Sequence, residues 1–359
     1  MKIYAFHLLN DFSGSPKVLM QVLKGCVENG LDTTVVSCTG REGFLSDLPG
    51  VKYKNYWYRW AANPYLRLLS LMLSQFLMIC KLLAIVRRED LIYINTVLPF
   101  GAAFLGKVKG CRIIYHLHET TMKPPLLKRF LFGIAYWAAD ELIYVSRFLA
   151  EQEQAANQKV NILYNAIEDS FLQKAISDRK VKKPKGHVLM VCSLKPYKGV
   201  REFVALSQRH KDYQFRLVVN ASQGQIDLFF RQDFLPDNLQ IYPTQTNLHP
   251  FYAWADVILN LSRPDGWIET FGLTIIEGMA YGLPAIVPPV GGIIELVEEG
   301  QNGYSVDSRD TILLSNTLKK LLDNESQYLA MSECARKRIG AYRESVFQRK
   351  SQQIIQELH

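Results

Sequence analysis

The chain has 359 residues, 48% hydrophobic and 21% charged, with a formal net charge of +8. This length favours two domains, and the balance is that of a soluble globular protein with ample core. Six scattered cysteines (Cys26, Cys38, Cys80, Cys111, Cys192 and Cys334) form no C-x-x-C pair, which argues against zinc ribbons and a disulfide framework. They read as buried free thiols in a reducing cytoplasm. Met1-Lys2 leads straight into the apolar run IYAFHLL. Asn10, Asp11 and Ser13 follow with no small-residue cleavage site, so the run reads as a first buried strand and not a signal peptide. Further strands are expected at 33–37, 91–95, 112–117, 141–145 and 160–164, with helices between most of them, from 16 to 28 and from 66 to 88 among others. Such alternation predicts a parallel sheet covered on both faces. The charged, weakly periodic stretch 167–186, with Pro184 and Gly186, reads as a linker. Strand patterns then resume at 187–193, 214–219, 239–242, 256–261 and 284–287, and helices run from Asp307 to the end. The expected architecture is α/β: two doubly wound, Rossmann-like domains, 1–166 and 187–340, facing across a cleft. A C-terminal helix in 341–359 is expected to pack back on the first domain.

Charge is uneven. Residues 51–150 carry fourteen Lys and Arg against five acids, an excess of +9, so the rest of the chain is close to neutral. A basic excess suits a phosphate-rich partner. Nucleic acid is disfavoured, because no zinc-finger spacing, helix-turn-helix or RNA-binding aromatic signature is found. An anionic membrane face and an ordinary solvated surface both remain open. Two aromatic, basic segments, Asn55–Tyr65 and Leu126–Trp137, resemble interfacial sequences. Between them, Leu66–Arg88 is long enough to cross a bilayer, but Arg67, Gln75 and Lys81 interrupt it, and a helix packed on the sheet is the expected outcome.

Two motifs carry chemistry. In VLMVCSLKPYKGVREFV, Val188–Val204, a strand ends near Ser193 and Gly199 opens a helix, which puts Lys198 at a helix N-terminus. A cation beside unbonded amides makes a diphosphate site, although a lone loop lysine is more often plain surface. About seventy residues on, the segment Arg263–Asp307 holds Glu269 and Glu277 around a Phe271-Gly272 turn. Carboxylates there accept hydrogen bonds from sugar hydroxyls, and amides at the helix start can hold a phosphate. Loops after parallel strands are where open α/β sheets bind nucleotides.

Together these residues resemble the retaining, family-four nucleotide-sugar glycosyltransferases of the GT-B fold, over roughly Val188–Asp307. The resemblance matches Lys198 to the family's lysine and Glu269 and Glu277 to its paired glutamates. It matches Phe271, Gly272 and Leu273 to the amides that touch the donor phosphates. It implies that Glu277 binds the ribose and Glu269 the hydroxyls of the transferred sugar. Many members place an arginine where this chain has Ser193; Lys195 lies two positions further on. In the first half, Gly14 matches a glycine-rich loop facing the donor phosphates, but Ser15 replaces the second glycine. Gly14 before Pro16 reads equally well as a plain turn. In IIYHLHET, alternation puts His116 and His118 on one side of a strand. His118, nearer the loop, matches a family histidine on the acceptor side. Ser146, in YVSRFLAEQ, resembles the family's serine-capped helix and reads equally as a simple cap.

No D-x-D motif or metal-ligand spacing is found, so no metal or cofactor is expected. The implied activity is metal-independent transfer of a hexose, with retention, from a nucleoside diphosphate sugar, UDP by default. The expected acceptor is a glycan or polyprenyl-linked saccharide in cell-surface polysaccharide synthesis. Glu269, Lys198 and His118 are the catalytic candidates. Gly14, Ser193, Lys198, Phe271, Gly272, Leu273 and Glu277 are the donor-binding ones. The expected setting is the cytoplasm, peripheral on the inner face of the cell membrane. The alternatives are a nucleotide-sugar epimerase of the same fold and a non-catalytic donor-binding subunit.

Overall fold

Short apolar runs become strands and the stretches between them become helices. The computed structural model describes residues 2–153, 158–178 and 184–357. They divide into two units, one of Met1–Asn165 with Ser345–His359, the other of Ala166–Glu344.

The first unit is built on seven parallel strands: β1 (Lys2–Phe6), β2 (Asp32–Cys38), β3 (Val51–Tyr56), β4 (Leu91–Asn95), β5 (Arg112–Leu117), β6 (Glu141–Tyr144) and β7 (Lys159–Ile162). Their order is β3-β2-β1-β4-β5-β6-β7. Ile92, Ile94, Ile113 and Ile114 are fully buried, as central strands covered on both faces require. The second unit has six parallel strands: β8 (His187–Ser193), β9 (Gln214–Asn220), β10 (Leu239–Tyr242), β11 (Val257–Leu259), β12 (Ala285–Val287) and β13 (Gly303–Ser305). They run in the order β10-β9-β8-β11-β12-β13. The direction of winding reverses between β1 and β4 and again between β8 and β11. At such a switch point neighbouring loops diverge and open a crevice beyond the strand ends.

Two strands were not expected. VKYKNY forms β3 at an edge, where Lys52 and Tyr53 are exposed, so it carries no apolar run. Lysines on an edge also discourage pairing with another chain. The last strand, β13, has only three residues and begins at a glycine. The expected linker is a correction. It contains the helix Asp169–Asp178, whose Leu172 and Ala175 are buried; its charged outer face masked the two core positions. Residues 179–183 of that stretch lie outside the described residues. Cys26, Cys38 and Cys111 are buried, Cys192 and Cys334 are half-buried, and Cys80 is exposed on a helix. The 66–88 pattern forms the helix Pro64–Leu82, capped by Asn63, whose side chain accepts from the Tyr65 and Leu66 amides. Only one of its faces is buried.

The last helix, Glu344–Gln356, groups almost wholly with the first unit. Gln352 Nε2 donates to Cys26 Sγ at 3.6 Å, and Lys159 bridges Glu141 and Glu357. Ile355 is 1% exposed. Ile355→Ala is therefore expected to destabilise the first unit by about 2–5 kcal/mol. Hydrogen exchange should speed up in the helix Gly14–Glu28 and stay unchanged in β8 and β11. Equal change in both units would show that the helix does not belong to the first.

Candidate active site

In the second unit the loops after β8 and β11 flank the switch point. The first runs through a short turn, Pro196–Lys198, into the helix Val200–Arg209. Its junction, Gly199, has φ of 74°, and a Cβ there would lie 2.1 Å from the Leu261 carbonyl oxygen. Only glycine lets this helix start approach the loop after β11 so closely. That approach brings Lys198 to Glu269 on the neighbouring loop, where they form an ion pair, with side chains 14% and 16% exposed. Trp267 lies against the pair, with Lys198 Nζ 4.9 Å from its ring centre, and stacks on Tyr197 at 5.6 Å. Glu269 Oε1 also accepts from Ser262 Oγ at 2.7 Å and from Asn260 Nδ2 at 3.5 Å. All these donors use one oxygen, and among the described residues no hydrogen bond is directed at Oε2. Burial would raise the Glu269 carboxyl, but Lys198, Ser262 and Asn260 together outweigh it and hold it below the ordinary range. Glu269 is an anion with one oxygen engaged and one open.

Gly272 precedes the helix Leu273–Ala280. Among the described residues its amide and that of Leu273 donate to no backbone carbonyl outside the helix, and both lie at the positive end of the helix. Gly291, with φ of 109°, abuts this loop; a Cβ would sit 2.4 Å from the Glu269 carbonyl oxygen. Glu277 is on the second turn and is buried, with Oε2 accepting from Tyr252 OH at 2.7 Å. Tyr252 packs on Tyr281 and Phe171, and His249 stacks on Phe171 at 4.2 Å. His249 Nδ1 is 2.6 Å from Tyr281 OH. So the helix once read as linker supports the residue that holds Glu277. Ser193 ends β8, where its carbonyl accepts from the Lys195 amide at 2.8 Å; the Lys195 side chain is exposed.

The sequence matches the family Glycosyl transferases group 1 over residues 173–338 and Glycosyltransferase Family 4 over 12–171. The chain belongs to the family-four glycosyltransferases of the GT-B fold. It is 25% identical over 282 residues, 72% of each chain, to N-acetyl-alpha-D-glucosaminyl L-malate synthase of Bacillus anthracis. Two solved structures match its fold. HepE of Anabaena in complex with UDP and glucose has a TM-score of 0.80 at 18% identity, with 99% of both chains covered. Sucrose-phosphate synthase of Thermosynechococcus elongatus has 0.81 at 16%, covering 100% of this chain and 99% of that one.

In the first unit of this glycosyltransferase the switch point lies between β1 and β4. Gly14 opens the helix Gly14–Glu28 and is exposed; Ser15 and Pro16 complete its first turn. His116 is fully buried in β5, with Nδ1 2.8 Å from Tyr93 OH. His118 follows the strand on the same side, its ring 4.4 Å from that of His116. Ser146 caps the helix Arg147–Gln152, accepting from the Leu149 amide at 3.2 Å. The residue that organises this cluster is Asn95, which the sequence did not single out. Its Nδ2 donates to the Ser15 carbonyl at 3.1 Å and lies 3.0 Å from His7 Nδ1. A carbonyl partner fixes the amide's orientation, so Oδ1 accepts from His118 Nε2 at 2.8 Å. His118 therefore carries its proton on Nε2 and has Nδ1 as its acceptor nitrogen. Ser262, Asn260, Trp267 and Tyr252 were missed for the same reason: each meets its partner only through the fold.

Burial sets the charge here. It pushes His7 down to about 4, His116 down to about 3 and His118 well below the ordinary histidine value. It pushes Glu119 up to about 7, against the hydrogen bond accepted from the His118 amide. Between pH 4.5 and 6.5 the unfolded chain binds protons at three histidines that the folded unit leaves neutral. Over the same window the folded unit keeps one extra proton, on Glu119. Three outweigh one, so stability should rise with pH through this window and be lost as pH falls below 6.5. Thermal midpoints measured across it should slope upward, less steeply in His116→Gln. An unchanged slope in the variant would mean that His116 is protonated in the folded state.

Proposed function

We propose that this chain transfers a hexose, with retention, from UDP-hexose to a hydroxyl of a glycan or polyprenyl-linked saccharide in cell-surface polysaccharide synthesis. The observation that carries the reading is the Lys198–Glu269 pair beside the first turn of the helix Leu273–Ala280. UDP is suggested by HepE, whose complex contains UDP and glucose. Retention is what the family resemblance implies. In this reading the diphosphate enters against Lys198 and the amides of Gly272 and Leu273. Glu277 takes the ribose diol, and the open Oε2 of Glu269 takes a sugar hydroxyl. The bond from the anomeric carbon to the diphosphate breaks as the acceptor oxygen bonds to that carbon, and the acceptor's proton goes to the leaving phosphate oxygen. Lys198 meets charge that grows along this path, so its contribution is largest in the transition state. No metal is needed to balance it. We assign the acceptor to the first unit, with neutral His118 as a hydrogen-bonding group, and the site of action to the cytoplasmic face of the membrane. Ser15 and Ser193, in place of the family's glycine and arginine, keep a non-catalytic donor-binding subunit as the second reading.

Calorimetry with UDP, GDP and ADP, followed by product analysis with UDP-sugars, tests this. UDP binding without transfer to any acceptor would select the second reading. Glu277→Ala should weaken UDP binding by about 1–3 kcal/mol. Glu269→Ala should lower turnover and leave UDP affinity intact or slightly raised, because it frees Lys198 for the diphosphate. Equal loss of affinity in both variants would sink this division of roles.

Lys198→Ala should cost more in kcat than in donor affinity, and wild-type activity should survive EDTA. Complete loss in EDTA, restored by Mg²⁺ or Mn²⁺, would contradict metal-independent transfer.

A further inference from the structure

The helix Pro64–Leu82 has two apolar faces and only one covering. Leu71, Ser74, Gln75, Met78 and Leu82 are buried. Gln75 fixes that face to the fold, its Oε1 accepting from the Gly101 amide at 3.0 Å. On the opposite side Leu66, Leu69, Leu73 and Phe76, spaced three, four and three residues apart, are all exposed, Leu69 by 64% and Phe76 by 61%. The helices Gly101–Lys109 and Pro125–Ala138 pack alongside it in turn. They extend the apolar surface with Phe104 and Trp137, whose rings are 5.6 Å apart. Together the three helices carry six Lys and Arg and no Asp or Glu. Lys128 is paired with the buried Glu153 at 2.5 Å, which leaves five cations for the outer surface. Arg67 lies over Trp60 at 5.8 Å and Lys107 over Trp137 at 5.9 Å, while Lys81 bonds the Asn55 carbonyl at 2.6 Å. Aromatic rings and long basic chains that bury stems and keep charges wet are the residues of a membrane–water boundary.

We propose that this face is a seat for an anionic lipid bilayer, with the helix Pro64–Leu82 lying in the plane of the membrane. Its length and mean hydropathy of 1.4 would also allow it to span. Spanning would strip Gln75 from Gly101 and leave the buried Ser74 and Gln75 in hydrocarbon. Burial of the outer face alone to a depth of about 5–10 Å satisfies both sides of the helix. The absence of acids from all three helices selects an anionic surface over a neutral one. The inference stands on this surface alone and does not depend on which sugar or nucleotide the chain uses.

Flotation of the full chain with vesicles of phosphatidylglycerol and phosphatidylcholine, against phosphatidylcholine alone, tests it. Wild type should float with the anionic vesicles and brominated acyl chains should quench its tryptophan fluorescence. The double variant Leu69→Glu, Phe76→Glu should reduce partitioning roughly hundredfold. Phe234→Glu, at an exposed residue of the second unit, should float like wild type. About 0.5 M NaCl should weaken binding without abolishing it, since the apolar contact is not screened. Unchanged circular dichroism and UDP affinity in the double variant would show that the fold is intact and the donor site untouched. Wild type remaining in solution with anionic vesicles, or the double variant floating as wild type does, would overturn the proposal. So would a wild-type dimer in sedimentation that the double variant abolishes, because the face would then belong to a second copy. Loss of vesicle binding with UDP binding retained leaves the glycosyltransferase reading standing, and the reverse result leaves the membrane seat standing.

Discussion

The ion pair between Lys198 and Glu269 is the constraint around which the second unit is arranged. Two charges with side chains only 14% and 16% exposed are tolerable because each neutralises the other. Removing either alone would leave a nearly buried charge without its counterion. Ser262 and Asn260 add their donors to the same carboxylate oxygen, and Trp267 covers the lysine. The closeness has a backbone origin. Gly199 lets the loop after β8 touch Leu261, and Gly291 lets the loop after β12 touch the Glu269 carbonyl. A side chain at either would push apart the loops that hold the pair. In the proposed reading a diphosphate would compete with Glu269 for Lys198, and the carboxylate it displaced would be placed to accept from a new donor.

The first unit uses the same topology for the opposite electrostatic end. Its cluster also sits at a switch point, on the last residues of β4 and β5 and just beyond β1. Asn95 links the Ser15 loop, His7 and His118, so three chain segments separated by up to about a hundred residues share one amide. Yet burial keeps the histidines neutral, where the second unit holds an anion against a cation. A neutral, hydrogen-bonding site suits an uncharged hydroxyl, and a site with a cation and helix-start amides suits a diphosphate. This contrast in desolvation supports the division of labour proposed for the two units, beside the resemblance.

Much of this was legible in the sequence. The central strands announce themselves as apolar runs because parallel strands are buried on both faces. Lys198, Glu269 and Glu277 were singled out from the strand, loop and helix patterns around them together with the family resemblance, and the structure pairs Lys198 with Glu269. What escaped obeyed different physics. Four of the six residues of the edge strand β3 are lysine or tyrosine, as suits a strand with one side facing water. The helix Asp169–Asp178 was hidden because only Leu172 and Ala175 reach the core while its other face is polar. Asn95, Tyr252, Ser262 and Trp267 gave no local signal, since an asparagine or a tyrosine acquires its role only from what the fold sets beside it. Lys195, two positions beyond Ser193, has its side chain exposed to solvent.

The helix Pro64–Leu82 marks where periodicity stops discriminating. A helix apolar on every side must be covered on every side, by protein or by lipid, and hydropathy does not say which. The reading as a core helix was half right, since Gln75 and Met78 do pack inward. Two other facts bear on the outward half. Its neighbouring helices add aromatic and basic side chains without a single acid, and its inner Gln75 already accepts from the Gly101 amide. A protein partner would be matched by carboxylates and shape at particular points. A lipid surface asks only for a broad apolar face with nearby cations, and the exposed Leu66, Leu69, Leu73 and Phe76 with Arg67, Lys81 and Lys107 on the same three helices support that proposal. The +9 excess of residues 51–150, diffuse when read along the chain, thus includes a cluster on one side of one sheet. Right-handed crossovers put it there, since the connections that enter β4, β5 and β6 progress in one direction and so share a face.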